Sequence, residues 1–275
     1  MPPGDDDSIR DVRMSRFADA ACDPGTDRVV CEEPLEIQIG PTPVAVVMRT
    51  PGADAELATG FLVTERVVER FEDVTSVRHC SLASDPEAAD NVIRATLADG
   101  VEVDWERLRR NLYASSSCGI CGKATIENAL ASAPPLDDPL RLAAELLYGL
   151  PERMRGAQSV FEATGGLHAA ALFAEDGALL ALREDVGRHN AVDKIIGWAA
   201  REGRLPLAGH VLLVSGRVSY EIVQKALAAR IPLLAAVSAP SSLAVELAAS
   251  AGVTLVGFLR GRALNVYANR ERVLG

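Results

Sequence analysis

The chain has 275 residues, 48% of them hydrophobic, enough for one large or two moderate cores. Its 28 basic and 38 acidic residues leave a net charge of −10, which argues against general binding to nucleic acid or to an anionic membrane surface, since both need an extended basic face. No run approaches the roughly 20 apolar residues of a membrane span, and the acidic start MPPGDDDSIRD lacks the basic flank and apolar stretch of a secretory signal, so a cytoplasmic location is expected.

Residues 1–28 are polar, aspartate-rich and without hydrophobic period, and are expected to form a flexible tail. Order is expected from residue 29. EEPLEIQIG and TPVAVVMRT alternate as two strands across Gly40-Pro41. DAELATGFLVTERVV has helical spacing through Leu57, Phe61 and Leu62, with Asp54 placed to cap it. VTSVRHCSL, NVIRATL and VEVDW alternate again, the last two about a turn at Ala98-Asp99-Gly100. Together they predict a smaller α+β N-terminal domain over residues 29–113.

Residues 114–139 read as a cysteine loop and linker: SSSCGICGKA carries Cys118 and Cys121, a short helical ATIENALAS follows, and the prolines of APPLDDP end the segment. From residue 140 a mainly helical stretch runs to a stop at Gly165-Gly166. Beyond it the strands HAAALF, GALLALRED, HVLLVS, PLLAAVS, VTLVGFL and LNVYA are interspersed with the helices NAVDKIIGWAARE, YEIVQKALAAR and SSLAVELAAS. That alternation predicts βαβ crossovers and a sheet covered on both faces, an α/β C-terminal domain over residues 140–275.

Ligands of open α/β sheets bind beyond the carboxyl ends of the strands, where helix N-termini offer free N–H groups. The turns expected there are REDVGRHN with Gly187, Arg188 and His189, SGRVS with Ser215, Gly216 and Arg217, SAPSS with Ser238 and Ser241, and RGR with Arg260, Gly261 and Arg262. Small residues let the backbone approach a ligand, and arginine forks suit phosphate oxygens, so the rim is expected to take a phosphorylated, nucleotide-containing ligand. Tight turns with solvated arginines would account for any one of these segments, less well for four in succession. His189 and Asp185 form a candidate acid/base pair, although a histidine opening a helix also serves as a cap or an orienter. His168 reads as a pocket-wall residue, His79 and His210 as structural.

Five cysteines with Cys22, Cys31 and Cys80 scattered do not make a disulfide framework. Cys31 and Cys80 lie in or beside strand-like stretches and read as small buried apolar residues. The close pair can hold zinc, cycle as a disulfide or carry sulfur. Zinc wants three or four protein ligands, and neither a second CxxC nor a histidine near Cys118 supplies them. The deaminase signature fails too, because HAA at 168–170 lacks the glutamate and the CxxC lies upstream without a preceding proline. A thioredoxin-like role expects CxxC at a strand–helix junction rather than in a serine-glycine loop. A thiolate favoured by Lys123 and by the start of the following helix can accept sulfane sulfur as a persulfide, which the second thiol then attacks. Sulfur carriage therefore leads. The alternatives are a non-catalytic cofactor chaperone whose cysteines dock a partner or hold zinc, and a dithiol oxidoreductase.

EEPLEIQIG, TPGADAELATGFLVTE, SSSCGICGKA, TGGLHAAALF, REDVGRHNAVDKIIG, SGRVSYEIVQKAL, IPLLAAVSAPSSLAVELA and TLVGFLRGRALNVYA together closely resemble the formate dehydrogenase accessory sulfurtransferase family, over nearly all of residues 28–270. The resemblance implies a cytoplasmic carrier, a sulfurtransferase-type persulfide relay. It would take sulfur from a cysteine desulfurase and pass it to the molybdenum cofactor, bis-molybdopterin guanine dinucleotide, for activation of formate dehydrogenase. It implies the persulfide on Cys118 with Cys121 as partner, a cofactor segment at Phe258, Leu259, Arg260, Gly261, Arg262 and Ala263, and a cytidine-deaminase-like three-layer second domain. GDP or a GMP-like nucleotide would substitute for the cofactor, and a ligand with two nucleotide arms makes a homodimer attractive. RGRALNVY departs from the family's usual arginine-glycine turn by one residue fewer.

Overall fold

In the computed structural model the described residues are 7–19, 21–68, 70–80, 90–105, 130 and 133–275. The stretch expected as a loose tail to residue 28 instead pairs from Ile9 as an antiparallel hairpin of β1 (Ile9–Ala18) and β2 (Ala21–Val30). Neither face of the ribbon is buried in a core, so it carries no hydrophobic period for a sequence reading to find. Its registers set opposite charges across the ladder, Asp11 against Arg28 and Arg16 against Asp23.

The first unit is built from β3 (Glu33–Ile39), β4 (Thr42–Arg49), α1 (Asp54–Thr64), β5 (Val74–His79) and β6 (Val92–Leu97). The strands form one sheet in the order β4-β3-β6-β5. Alternate residues Leu35, Ile37, Ile93 and Ala95 point inward and pack with Leu57, Ala58, Phe61 and Leu62 of α1. Two expectations need correction here. VEVDW forms no strand, because β6 already has β3 and β5 on its two edges; Val103 and Trp105 pack on the core without a ladder. Nor is Asp54 the helix cap: Ala53 takes that place in the left-handed region, and the Asp54 carboxylate receives Arg49 in a paired contact at 3.1 and 3.0 Å.

The second unit opens with β7 (Leu142–Ala143) and the helices α2 (Ala144–Tyr148), α3 (Leu150–Gly156) and α4 (Ser159–Thr164), the last closed by Gly165 at φ 70°. There follow β8 (His168–Phe173), β9 (Leu179–Asp185), α5 (Arg188–Arg201), β10 (Val211–Val214), α6 (Tyr220–Ala228), β11 (Leu233–Ala236), α7 (Ser242–Ala251), β12 (Thr254–Arg260), β13 (Ala263–Ala268) and β14 (Val273–Leu274). The six-stranded sheet has the order β13-β12-β11-β10-β8-β9. Only β10, β11 and β12 are mutually parallel; β8, β9 and β13 run antiparallel to their neighbours, so the sheet is mixed rather than a run of crossovers. Ala170, Leu172, Leu212, Val214, Leu234 and Ala236 face α5, α6 and α7, while Ala169, Ala171, Phe173, Leu213, Leu233 and Ala235 face α2 and α3. The result is a helix–sheet–helix sandwich. No described helix is long and apolar enough to cross a membrane.

The units meet where α1 crosses α5 with backbone against backbone. A Cβ on Gly60 would stand 1.8 Å from the carbonyl oxygen of Asp193, and one on Gly197 would stand 1.8 Å from that of Glu56. Charges tie the same seam. Lys225 Nζ donates to Thr64 Oγ1, Glu65 Oε1 and Asp193 Oδ2 at 2.9, 2.8 and 2.9 Å. Lys194 Nζ lies 2.7 Å from Asp185 Oδ2 and donates to the Thr50 carbonyl at 2.9 Å. Arg183 and Glu56 close the exposed end with two contacts at 2.5 and 2.7 Å. Burial opposes the charge on Lys225, but Asp193 and Glu65 outweigh it and raise its pKa above the ordinary lysine value.

Candidate functional site

The carboxyl ends of β9, β10, β11 and β12 and the amino ends of β8 and β13 lie along one edge of the six-stranded sheet. All four sequence segments meet along it, the fourth through residues 258–260 only. His168 opens β8 directly opposite Asp185, the last residue of β9, and a Cβ on Gly216 would sit 3.1 Å from the His168 ring. That Cβ would lie 3.6 Å from Arg188 Cβ, an ordinary contact, so the two turns pack closely and the His168 ring would have to yield by only a few tenths of an ångström to an alanine there. The next turn is joined by a bridge between Val218 and Pro240 and by Ser241 N–H donating to the Val218 carbonyl.

The rim is cationic by construction. Arg188 begins the 14-residue α5 and Arg217 precedes the nine-residue α6, so two guanidinium groups share the edge with two helix N-termini. Burial, then Arg188 and Arg217, push the His168 imidazole below its ordinary pKa, which keeps a third cation away. Nε of Arg188 is buried and has no hydrogen-bond partner among the described residues. An unpaired buried guanidinium nitrogen is costly, and a ligand oxygen would relieve it.

Other expected site residues have different work. Ser215 Oγ accepts from Ala169 N–H at 2.9 Å, and Ser241 Oγ caps α7 by accepting from Ala244 N–H at 3.3 Å, so both hydroxyls hold the turns in shape. Ser238 contributes its carbonyl, which accepts from Phe258 N–H at 3.1 Å. Phe258 itself is 40% exposed at φ 52°, with the Arg260 guanidinium 5.8 Å from its ring centre; Arg260 Nε donates to the Val237 carbonyl. Together they present a flat aromatic face beside a charge. The Leu259 side chain belongs to the core. Gly261 turns at φ 53°, Ala263 starts β13, and Arg262 leaves the rim to pair with Glu145 of α2 at 2.6 Å on both oxygens, beside Tyr148.

Asp185 and His189, considered as an acid/base pair, are not joined. Asp185 is fully buried and accepts from Thr50 N–H, Gly187 N–H and Asn190 Nδ2 besides Lys194. It ties the rim to the first unit instead. His189 Nε2 stands 3.2 Å from Ser219 Oγ, and burial followed by Arg188 and Lys225 lowers its pKa to about 4. Sequence reasoning did not single out Ser219 or Glu221, although the spacing of a serine two residues before a glutamate at a helix start was visible. His79 contacts Asp54 at 3.5 Å and His210 contacts the Ala208 carbonyl at 2.7 Å, in keeping with structural roles. Cys31 is buried and Cys80 half-buried, whereas Cys22 is exposed on the hairpin.

Cys118, Cys121 and Lys123 lie outside the described residues. No group of three histidine, cysteine or acidic side chains among the described residues could hold a metal ion. An open recess of about 640 Å³ lies on the first unit between Gly40, the turn at 98–100 and Trp105. Its described lining supplies Asp99 and Glu102 and no cation, which does not suit an anionic ligand.

The sequence profile of the FdhD/NarQ family matches residues 30–274. The chain is 52% identical over 265 residues to the sulfur carrier protein FdhD of Streptomyces avermitilis, covering 95% of this chain and 94% of that one. It is 53% identical over 253 residues to the sulfur carrier protein FdhD of Mycobacterium tuberculosis, covering 90% and 92%. Its fold matches a crystal structure described as a formate dehydrogenase accessory protein from Desulfotalea psychrophila, with a TM-score of 0.76 at 23% identity, over 97% of this chain and 99% of that one.

Proposed function

Because the chain belongs to the FdhD/NarQ family, we propose that it carries sulfur as a cysteine persulfide and delivers it to a guanine-nucleotide form of the molybdenum cofactor for a formate dehydrogenase. In the loading step the Cys118 thiolate attacks the terminal sulfur of a cysteine desulfurase persulfide. A new S–S bond forms, the donor's S–S bond breaks, and the desulfurase cysteine leaves as thiolate. In the release step the Cys121 thiolate attacks the Cys118 sulfur, hydrosulfide departs toward the bound cofactor, and the resulting disulfide is reset by a dithiol reductant. The cofactor is substrate here, and this chain's part is to bind it, present the sulfur and keep the thiols paired.

The observation that carries the ligand half of this reading is the rim at Arg188 and Arg217, where α5 and α6 begin and where a buried guanidinium nitrogen of Arg188 has no hydrogen-bond partner among the described residues. Phosphate oxygens satisfy such a site, and the Phe258 and Arg260 face suits a base. A twofold dimer would match a ligand with two nucleotide arms, and the reducing cytoplasm would keep both thiols free. We also read the second unit as deaminase-like, supported by a mixed sheet with helices on both faces; such a fold would be kept without the chemistry, since HAA at 168–170 lacks the deaminase glutamate.

The test is the intact mass of the protein after incubation with a cysteine desulfurase and cysteine. A reductant-sensitive gain of whole sulfur atoms is expected in the wild type and in Cys121→Ser, and none in Cys118→Ser. No gain in the wild type, with the desulfurase shown to release sulfide, would overturn the carrier reading.

A further inference from the structure

His189 is the residue on the rim whose protonation the fold sets from behind. Against the cost of burial, hydrogen bonds from the Ser219 hydroxyl and from its own N–H hold the Glu221 carboxyl below the ordinary carboxylate range. A carboxylate accepts only, so the Ser219 O–H donates to Glu221. With its proton committed, Ser219 Oγ can only accept from the histidine nitrogen 3.2 Å away, which makes that nitrogen, Nε2, the protonated one. Glu221 Oε2, 3.9 Å from the same Nε2, is too far to bond it directly and works through the serine.

The other ring nitrogen then carries a lone pair. Among the described residues Nδ1 has no partner, and about a third of the His189 side chain stays accessible at the rim, 34% by area. The charged groups facing the ring are Arg188, Lys225, Glu221 and Glu65, and the nearest cations oppose its protonation. A neutral ring with a bare lone pair repels a phosphoryl oxygen and welcomes an N–H or O–H.

We propose that Glu221 and Ser219 fix His189 as a neutral acceptor at Nδ1, and that it recognises a donor N–H or O–H on the base or ribose of the bound nucleotide, leaving the phosphates to Arg188 and Arg217. This rests on the nucleotide reading above. It adds a specificity residue, and two positioning residues behind it, to a rim of arginines, backbone N–H groups and the Phe258 ring.

The test uses GDP and inorganic pyrophosphate as probes on the full chain. Asparagine places a polar atom where Nδ1 stands and glutamine places one where Nε2 stands, so the two substitutions separate the nitrogens. His189→Gln is expected to weaken GDP about tenfold, the scale of one stranded donor, and His189→Asn by less than about threefold. Pyrophosphate should bind both variants like the wild type, which also shows that they fold. Ring-nitrogen NMR of the free wild type should show Nε2 protonated and Nδ1 bare down to about pH 5, below the ordinary histidine value, and Ser219→Ala should mix the two tautomers. Protonation near the ordinary value, a bare Nε2, or equal losses of GDP and pyrophosphate in His189→Gln would overturn the inference while leaving the nucleotide site standing. Failure of the wild type to bind either probe would overturn the nucleotide reading and this role with it.

Discussion

Gly60→Ala is expected to cost roughly 4 kcal/mol or more of folding stability, the range reached only when a substitution has nowhere to go. The added methyl would stand 1.8 Å from the Asp193 carbonyl oxygen and 2.5 Å from its carbon, both backbone atoms in the middle of α5. No rotamer moves them. Relief requires the helices to separate, and separation breaks the Lys225 and Arg183 contacts across the same seam. Gly197→Ala should behave alike, since its methyl would meet the Glu56 carbonyl oxygen at 1.8 Å. Gly156→Ala is the control: it lies in a helix with nothing within 4 Å, and removing a helical glycine should add up to about 1 kcal/mol. Urea unfolding midpoints of the three variants check the ordering; a Gly60→Ala protein as stable as the wild type would show that the crossing is not that close.

The second large effect belongs to Lys225→Met, expected to lose about 3–5 kcal/mol at pH 8 because it strands a buried carboxylate. Asp193 is 2% exposed, and burial already raises its pKa to about 6 against the pull of Lys225. Without the lysine it rises further. A carboxyl whose folded pKa lies above its unfolded one stabilises the fold at low pH and loses that contribution as pH rises through the folded value. The deficit should therefore shrink between pH 8 and pH 5. Lys225→Met with Asp193→Asn should recover much of the loss at pH 8, since the amide carries no charge to bury. A deficit that is the same at both pH values would mean that packing, not charge, holds Lys225 in place.

Much of this architecture was legible because it rests on short-range rules. Alternation marked β3 and β4, short apolar runs marked β8 and β10, and glycine or serine after each apolar run marked the turns of the rim. What escaped depends on partners far along the chain. VEVDW has the period of a strand, but β6, the strand it was expected to pair with, already has β3 and β5 on its two edges. The order of β8, β9 and β13 in the sheet, and hence its mixed direction, follows from pairings that alternation does not encode. Gly60 and Gly197 look like ordinary weak points of two helices until the helices are seen crossing. Arg262 reads like its neighbour Arg260, yet the chain turns between them at Gly261, φ 53°, so that Arg262 pairs with Glu145 while Arg260 donates to the Val237 carbonyl. The hairpin of β1 and β2 escaped because cross-strand charge pairs leave no hydrophobic signature.

The burial of two lysines also bears on how the cysteine stretch could be watched. Lys194 and Lys225 are 2% and 4% exposed and each is locked in an ion pair. The chain has one further lysine, Lys123, two residues beyond Cys121. Neither buried lysine is therefore open to an amine-directed fluorophore, which leaves Lys123, two residues from Cys121 in sequence, and the amino terminus as handles. Dye emission could then follow sulfur loading and partner docking in real time without adding a residue or spending a cysteine.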